Sequence, residues 1–239
     1  GVYLERTQAS IVVLKNDYKI PDILLADLHT FCQHAERQID QIRRRAILGE
    51  TIPHAEKVFS LFEPHTEWIS KGKAGVPVEL GLRVCIMEDS HGFILHSQVM
   101  QNTTDDKVAV PMVAATKVQF PSFNACSFDK AFHSPDNQKE LKSHLDHVVL
   151  PKKGKLSKAD QAREYAPEFM QAKRQHSAVE SAINALEVHG LDKCPDHGID
   201  AFERYVALAV LSRNIQKLGT IKRDAERQRL LLEKQKLAA

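Results

Sequence analysis

No run of apolar residues in this 239-residue chain approaches the roughly 18–20 that a membrane-spanning helix needs. The N-terminus, Gly1-Val2-Tyr3-Leu4-Glu5-Arg6, has neither the basic region nor the apolar stretch of a signal peptide. It also lacks an initiating Met, consistent with a processed or cut chain. Cysteine is sparse and dispersed. Cys32, Cys85, Cys126 and Cys194 form no C-x-x-C pair, which argues against a disulfide frame and suits reduced thiols in a cytoplasm. Charge of one sign is missing too: 33 Lys and Arg against 31 Asp and Glu leave a net charge of +2. Bulk charge therefore announces no nucleic-acid partner, and local clusters must carry any such argument. There are no internal repeats and no evident domain linker.

What is present is ordinary for a soluble globular chain of one or two domains, with 43% hydrophobic and 27% charged residues. Residues 3–14 and 22–47 read as helices, with Ile23, Leu24, Leu28, Phe31, Ile39 and Ile42 at roughly helical spacing. Pro21 opens the second, and Arg43-Arg44-Arg45 with Gly49 closes it. The arginines are either a solvated helix end or a phosphate contact. Residues 57–62 read as a short strand, followed by a loop containing Pro64, Gly72, Gly75 and Pro77. Strands over 78–88 and 93–100 flank the turn Asp89-Ser90-His91-Gly92, the pattern of a hairpin. Thr104 or Asp105 caps a helix over 106–119, with Val108, Met112, Ala115 and Val118 on one stripe. A strand then ends on Asp129. Ser134 and Pro135 open a helix to His144, and Val148-Val149-Leu150 is a brief strand. Residues 158–187 are mostly helical with a break at Pro167. An apolar helix over 199–218 covers a sheet, and a charged helix fills 220–239.

Three places carry candidate chemistry. Phe128 and Asp129 alternate, so burial of the first turns the second to the other sheet face. The plain reading of a strand-end aspartate is a turn or cap residue. Glu180 lies four residues after His176 and seven before Glu187, so all three share one helix face. That face is either a solvated charged stripe or a ligand set with Ser177 and Asn184 near a phosphate. The loop Pro151-Lys152-Lys153-Gly154-Lys155-Leu156-Ser157-Lys158 puts four lysines in eight positions. It is either a solubilising loop or a duplex contact whose lysines release counterions. Lys130 and His133 flank Asp129 as phosphate or salt-bridge partners. Cys194 and His197 stand at a spacing zinc can use, but no second pair lies nearby.

The wording around these acids is more specific. Ser-Phe-Asp-Lys-x-Phe-His-Ser-Pro-x-Asn from Ser127, then Val-Val-Leu-Pro-Lys-Lys-Gly-Lys-Leu, then His-Ser-Ala-Val-Glu-Ser-Ala-Ile-Asn-Ala-Leu-Glu-Val-His-Gly from His176 resembles bacterial insertion-sequence transposases of the ISNCY group. Phe62-Glu63-Pro64-His65-Thr66-Glu67-Trp68 and Arg204-Tyr205-Val206 extend the resemblance over about residues 20–219. It implies an α/β protein: an RNase H-like mixed sheet flanked by helices, with a helical segment over 1–55, a DDE core over 56–219 that lacks its first strand, and a charged helix over 220–239. It implies Asp129 as the second acid and Glu180 as the third, both metal ligands, with the first acid on a strand upstream. The chain is then a C-terminal portion. Glu63 is the one internal acid that could stand in.

The cofactor implied is Mg²⁺ or Mn²⁺, two ions about 3.5–4 Å apart in the usual phosphodiester clamp. The partners implied are double-stranded DNA, as terminal inverted repeats and target, and further copies of the chain, with no membrane. Lys130, Lys152, Lys153, Lys155 and His176 become DNA contacts, and the location becomes the bacterial cytoplasm, at the nucleoid. Where the family shows Gly after Asp-Lys, this chain has Ala131. Three functions stay open: a strand-cleaving and strand-transferring transposase portion; an inactive remnant that binds DNA or oligomerises; and an unrelated α/β protein with structural acids.

Overall fold

The chain divides between Leu82 and Arg83 into two units. The computed structural model describes residues 1–70, 77–176, 178–191 and 193–238, without the side chains of Ala178, Glu180, His189, Leu237 and Ala238. Helices and short strands are mixed along it, as the α/β reading expects. Among the described residues no helix is long and apolar enough to cross a membrane.

The first unit begins with α1 (Val2–Asn16) and α2 (Asp22–Ala46). Ile11, Leu25 and Cys32 bury against Leu4, Leu14 and Ile20. The apolar spacing of α2 is only partly used, because Ile23, Leu24, Ile39 and Ile42 are exposed. Arg44 lies against Glu50 at 2.8 Å and Glu56 at 2.6 Å, so that arginine of the triplet is engaged by its own loop. Residues 57–62 form no strand. Their backbone is satisfied by α2 instead: Val58 N–H donates to Gln41 Oε1 at 2.9 Å, and Leu61 C=O lies 3.1 Å from His34 Nδ1. Main-chain groups paired by side chains need no ladder. The stretch expected as one strand over 78–88 is interrupted at Leu82. Its first part, β2 (Val78–Gly81), pairs antiparallel with β1 (Glu67–Ser70), a strand the sequence reading left in a loop. The expected loop residues Gly72 and Gly75 lie outside the described residues.

The second unit opens with the hairpin of β3 (Arg83–Glu88) and β4 (Ile94–Met100). Asp89 makes its turn. One carboxylate oxygen accepts from His91 N–H at 2.9 Å and Phe93 N–H at 2.8 Å, and Gly92 supplies a φ of +83°. Next comes α3 (Asp105–Gln119), which buries Val108, Ala109, Met112, Val113 and Thr116. Val118 is exposed because it stands six positions past Met112, about 240° round the helix. Then follow β5 (Ala125–Ser127), α4 (Pro135–His144) and β6 (His147–Val149). Ser134 caps α4 by accepting from Asn137 N–H at 3.1 Å, with Pro135 at the first helical position.

β5 and β6 run parallel, registered Ala125 to His147, Cys126 to Val148 and Ser127 to Val149. A parallel pair cannot close through a tight turn, and α4 is the crossover. Strand pairing among the described residues is therefore three two-stranded ladders, where the sequence reading expects one mixed sheet.

Helices α5 (Lys158–Glu164), α6 (Pro167–His176) and α7 (Ala178–Leu186) follow, and a short π turn over Glu187–Leu191 leads on. The last helix, α8 (Ile199–Ala238), runs unbroken through Gly219. A single glycine within a helix costs only about 1 kcal/mol, so the apolar and charged segments join.

The core of this unit gathers Met87, Met100, Met112, Val113, Phe128, Leu141, Leu145 and Leu150 between the strands, α3 and α4. On the outer side of the hairpin, Asn214 of α8 donates to Ile94 C=O and accepts from Ile94 N–H, both at 2.9 Å. Ile94 is buried, so removing this amide strands two main-chain groups. Asn214→Ala should destabilise the second unit by about 1–3 kcal/mol in urea denaturation. Asn214→Asp should not rescue it, because a carboxylate cannot donate to the carbonyl.

Candidate functional site

The site forms where β5 ends. Cys126 and Phe128 point into the core with α3 and α4, and Phe128 stacks obliquely on Phe132 with ring centroids 5.9 Å apart. By alternation Ser127 and Asp129 belong to the opposite face. The backbone stays extended through Asp129 (φ −69°, ψ 158°). Ser127 confirms that face: its Oγ lies 3.0 Å from His176 Nδ1, in the last turn of α6. Two residues later the chain enters α7, which carries Glu180. Glu180's side chain and Ser177 lie outside the described residues, so no distance from Asp129 to that carboxylate enters the description.

Asp129 is exposed and also does what the plain reading assigns it. It caps a short 3₁₀ turn over Lys130–Phe132, with Oδ1 accepting from Lys130 N–H at 2.6 Å. The turn accommodates Ala131 without a positive φ. Lys130 is exposed beside it. His133 instead faces α4, with Nε2 3.3 Å from the side-chain amide of Gln138. Asp129 offers a hard oxygen donor at a solvent-accessible strand end, the type of ligand Mg²⁺ takes one or two of while keeping water. Among the described residues, no group of three or more His, Cys, Asp or Glu is gathered for a metal. Cys194 and His197 both turn onto Asp196, Cys194 through the thiol and the Asp196 carbonyl, His197 through its backbone N–H and the Asp196 carboxylate. Glu63 belongs to the first unit, 3.3 Å from His65.

The basic loop is not uniform. Lys152 Nζ forms an ion pair with Asp160, which also accepts from the Ser157 hydroxyl and backbone N–H. Ser157 Oγ in turn accepts from Asp160 N–H, a capping box that starts α5. Lys152 N–H donates to buried Glu164 at 2.8 Å. Of the expected DNA contacts, Lys152 is therefore built into the loop's own frame, while Lys153 and Lys155 are exposed.

The chain matches no family model, no curated protein and no solved structure. What the site can do thus has to be read from its own groups. Ser127 is the residue the sequence reading missed. Its signal was position, two before Asp129 on a strand whose intervening residue is apolar, but its partner lies 49 residues away.

Two outcomes test this description. The Lys152 and Ser157 hydrogen bonds hold the Asp160 carboxyl well below the usual carboxylate range. A lowered folded value stabilises the fold above the unfolded value near ~4, and the gain fades as pH falls toward the folded value. Asp160→Asn should therefore lower stability at neutral pH and flatten its loss on the acid side, read by urea unfolding at stepped pH. Burial pushes the Cys85 and Cys126 thiols up to about 12. Neither should be alkylated by iodoacetamide at neutral pH in the folded chain, since the thiolate is the nucleophile. Peptide mass mapping reads the result.

Proposed function

We propose that the second unit is part of an RNase H-like DDE transposase core, acting on DNA ends with Asp129 and Glu180 as two of its metal-binding carboxylates. The reading rests on the residue motifs around those acids and on one contact. The hydrogen bond between Ser127 and His176 ties the end of α6, and with it the start of α7, to the strand end that carries Asp129. A strand-end carboxylate and a helix-borne carboxylate at the carboxyl end of a parallel pair suit a crevice where ligands of open α/β sheets bind.

In this proposal Asp129 and Glu180 hold Mg²⁺ or Mn²⁺. When bound, the metal supplies Lewis-acid stabilisation of the attacking and leaving phosphodiester oxygens. The acids bind metal and are not covalent nucleophiles. Ser127 fixes His176, so the imidazole is positioned beside the DNA path and is not free to swing. Lys153 and Lys155 add non-specific backbone affinity, with Lys130 beside the reacting phosphate. End pairing calls for at least two copies of the chain, in a bacterial cytoplasm at the nucleoid.

A second reading is a remnant that binds DNA or oligomerises without cutting. It is favoured for this chain acting alone because the resemblance supplies only the second and third acids within these residues. The two readings share a DNA-binding surface and differ in chemistry.

Metal binding separates both from a protein with merely structural acids. Mn²⁺ titration followed by electron paramagnetic resonance should give a site that Asp129→Ala and Glu180→Ala each weaken. Equal Mn²⁺ uptake in all three proteins would sink the proposal. With duplex carrying inverted-repeat ends and Mg²⁺ or Mn²⁺, the chain alone should nick weakly or not at all. Strong nicking abolished by Asp129→Ala would establish a complete active site instead. Binding to duplex should weaken with salt, and Lys153→Ala with Lys155→Ala should reduce the log–log salt slope by about 0.9 for each lost phosphate contact. Lys152→Ala should change the slope less.

A further inference from the structure

Helix α8 has two apolar sides, and the second unit uses one of them. On the inner side Val206 is buried, Asn214 holds both main-chain groups of Ile94, and the Lys217 side chain lies over Gly92. Leu208, Leu211, Ile215 and Leu218 stand elsewhere on the helix and are 45–61% exposed. Ile215 comes nine positions after Val206. That is about two and a half turns, so it lies on the opposite side. The helix then runs on with every side chain from Ile221 to Lys236 exposed, including Leu230, Leu231 and Leu232. A helical stretch of that length without tertiary packing is marginal in water.

The exposed stripe has a period of its own. Leu208, Leu211, Ile215 and Leu218 are spaced three, four and three residues apart, as the a and d positions of a coiled coil are. The same count runs on through Lys222, Ala225, Arg229, Leu232 and Lys236. The stripe is therefore apolar in its first half and alternates basic with apolar in its second. That asymmetry decides what covers it. A parallel second copy sets identical residues side by side, so Lys222, Arg229 and Lys236 each meet a like charge. An antiparallel copy sets the apolar half against the mixed half. With Leu218 against Lys222, Ile215 meets Ala225, Leu211 meets Arg229 and Leu208 meets Leu232, in both directions. Each basic stem then lies along a leucine with its charged head in water. Arg229 is already neutralised on its own helix, by Glu226 at 2.8 Å and Glu233 at 3.9 Å. Ile221, also exposed, falls next to its own counterpart at the two-fold axis.

We propose that the outer stripe of α8 is a self-association surface, covered by the same stripe of a second copy of this chain running antiparallel. The overlap from Leu208 to Leu232 is about 37 Å long at the rise of an α-helix. It hides on the order of 800 Å² on each copy, the size of a standard specific interface. The two-fold arrangement is closed, so it makes a dimer and leaves no stripe for a third copy. The inference stands on spacing, charge and exposure along α8 and goes beyond the transposase reading. It needs neither metal nor DNA, and it names a surface and a polarity that end pairing alone leaves open.

The test is sedimentation equilibrium of the full chain in EDTA without DNA. The expected species is a dimer that dissociates on dilution, with helical circular dichroism falling as the tail loses its partner. Ile215→Glu sets a charge against Ala225 and should weaken the dimer roughly a hundredfold. Leu218 reports the polarity. Leu218→Lys meets Lys222 of the other copy and should weaken the dimer roughly tenfold more than Leu218→Glu, which meets the same lysine with opposite charge. Both positions are exposed, so each variant should unfold at the same urea concentration as the dilute unsubstituted chain. A monomer up to about 100 µM overturns the proposal, and makes another part of the chain or a different protein the occupant. A dimer indifferent to Ile215→Glu overturns it too, because another surface then joins the copies. Equal weakening by Leu218→Lys and Leu218→Glu overturns the antiparallel order. None of these outcomes alters the metal and nicking measurements, so the transposase reading and this one fail separately.

Discussion

The parallel ladder between β5 and β6 is the constraint on which the second unit turns. It has only three registered pairs, too few to stand alone. It is held because Phe128 and Leu150, at the ends of the two strands, bury in the core with Leu141 and Leu145 of the α4 segment between them. Parallel pairing also puts both strand ends on the same side of the unit. Ser127, Phe128 and Asp129 leave one strand there, and Leu150 and the basic loop leave the other. A helical crossover on one face leaves the opposite face to α6, which the Ser127–His176 hydrogen bond joins to the sheet. Core packing on one face and polar convergence on the other thus follow from a single strand alternation.

Charge around that strand end is divided between framework and surface. Lys152 looks like its neighbours in the sequence, yet it is spent on Asp160, and its backbone is tied to Glu164. The pair gives the loop after β6 a fixed start and leaves the following lysines to solvent. Arg44 in the first unit repeats the pattern, held by Glu50 and Glu56 within its own segment. In both, a cluster that reads as uniformly basic contains one residue with a structural occupation. At Ile94 one edge of the hairpin is sealed by an asparagine.

Much of the local structure was legible because its causes are local. Ser134-Pro135 starts a helix through a cap and a fixed φ, Asp89 to Gly92 makes a turn through its own carboxylate and a positive φ, and Pro167 separates two helices. The failures have non-local causes. Residues 57–62 have strand-like composition, but Gln41 and His34 take their backbone hydrogen bonds. β1 has an unremarkable sequence and exists because β2 lies beside it. The stripe on α3 holds at Val108 and Met112 and fails at Ala115 and Val118, because spacing fixes a period and packing fixes its phase. The tail beyond Gly219 continues α8 because nothing packed there forces a break.

The amino-acid order alone determined where helices start, that a strand would lead into Asp129, that the lysines after β6 would cluster, and which motifs resemble a transposase. These follow from neighbours within a few positions, where propensity, capping and alternation act. Tertiary structure decided which lysine is spent on the frame and that Ser127 meets His176 across 49 positions. Such pairings depend on loop closure and burial summed over the whole unit, and no short stretch of sequence contains both partners.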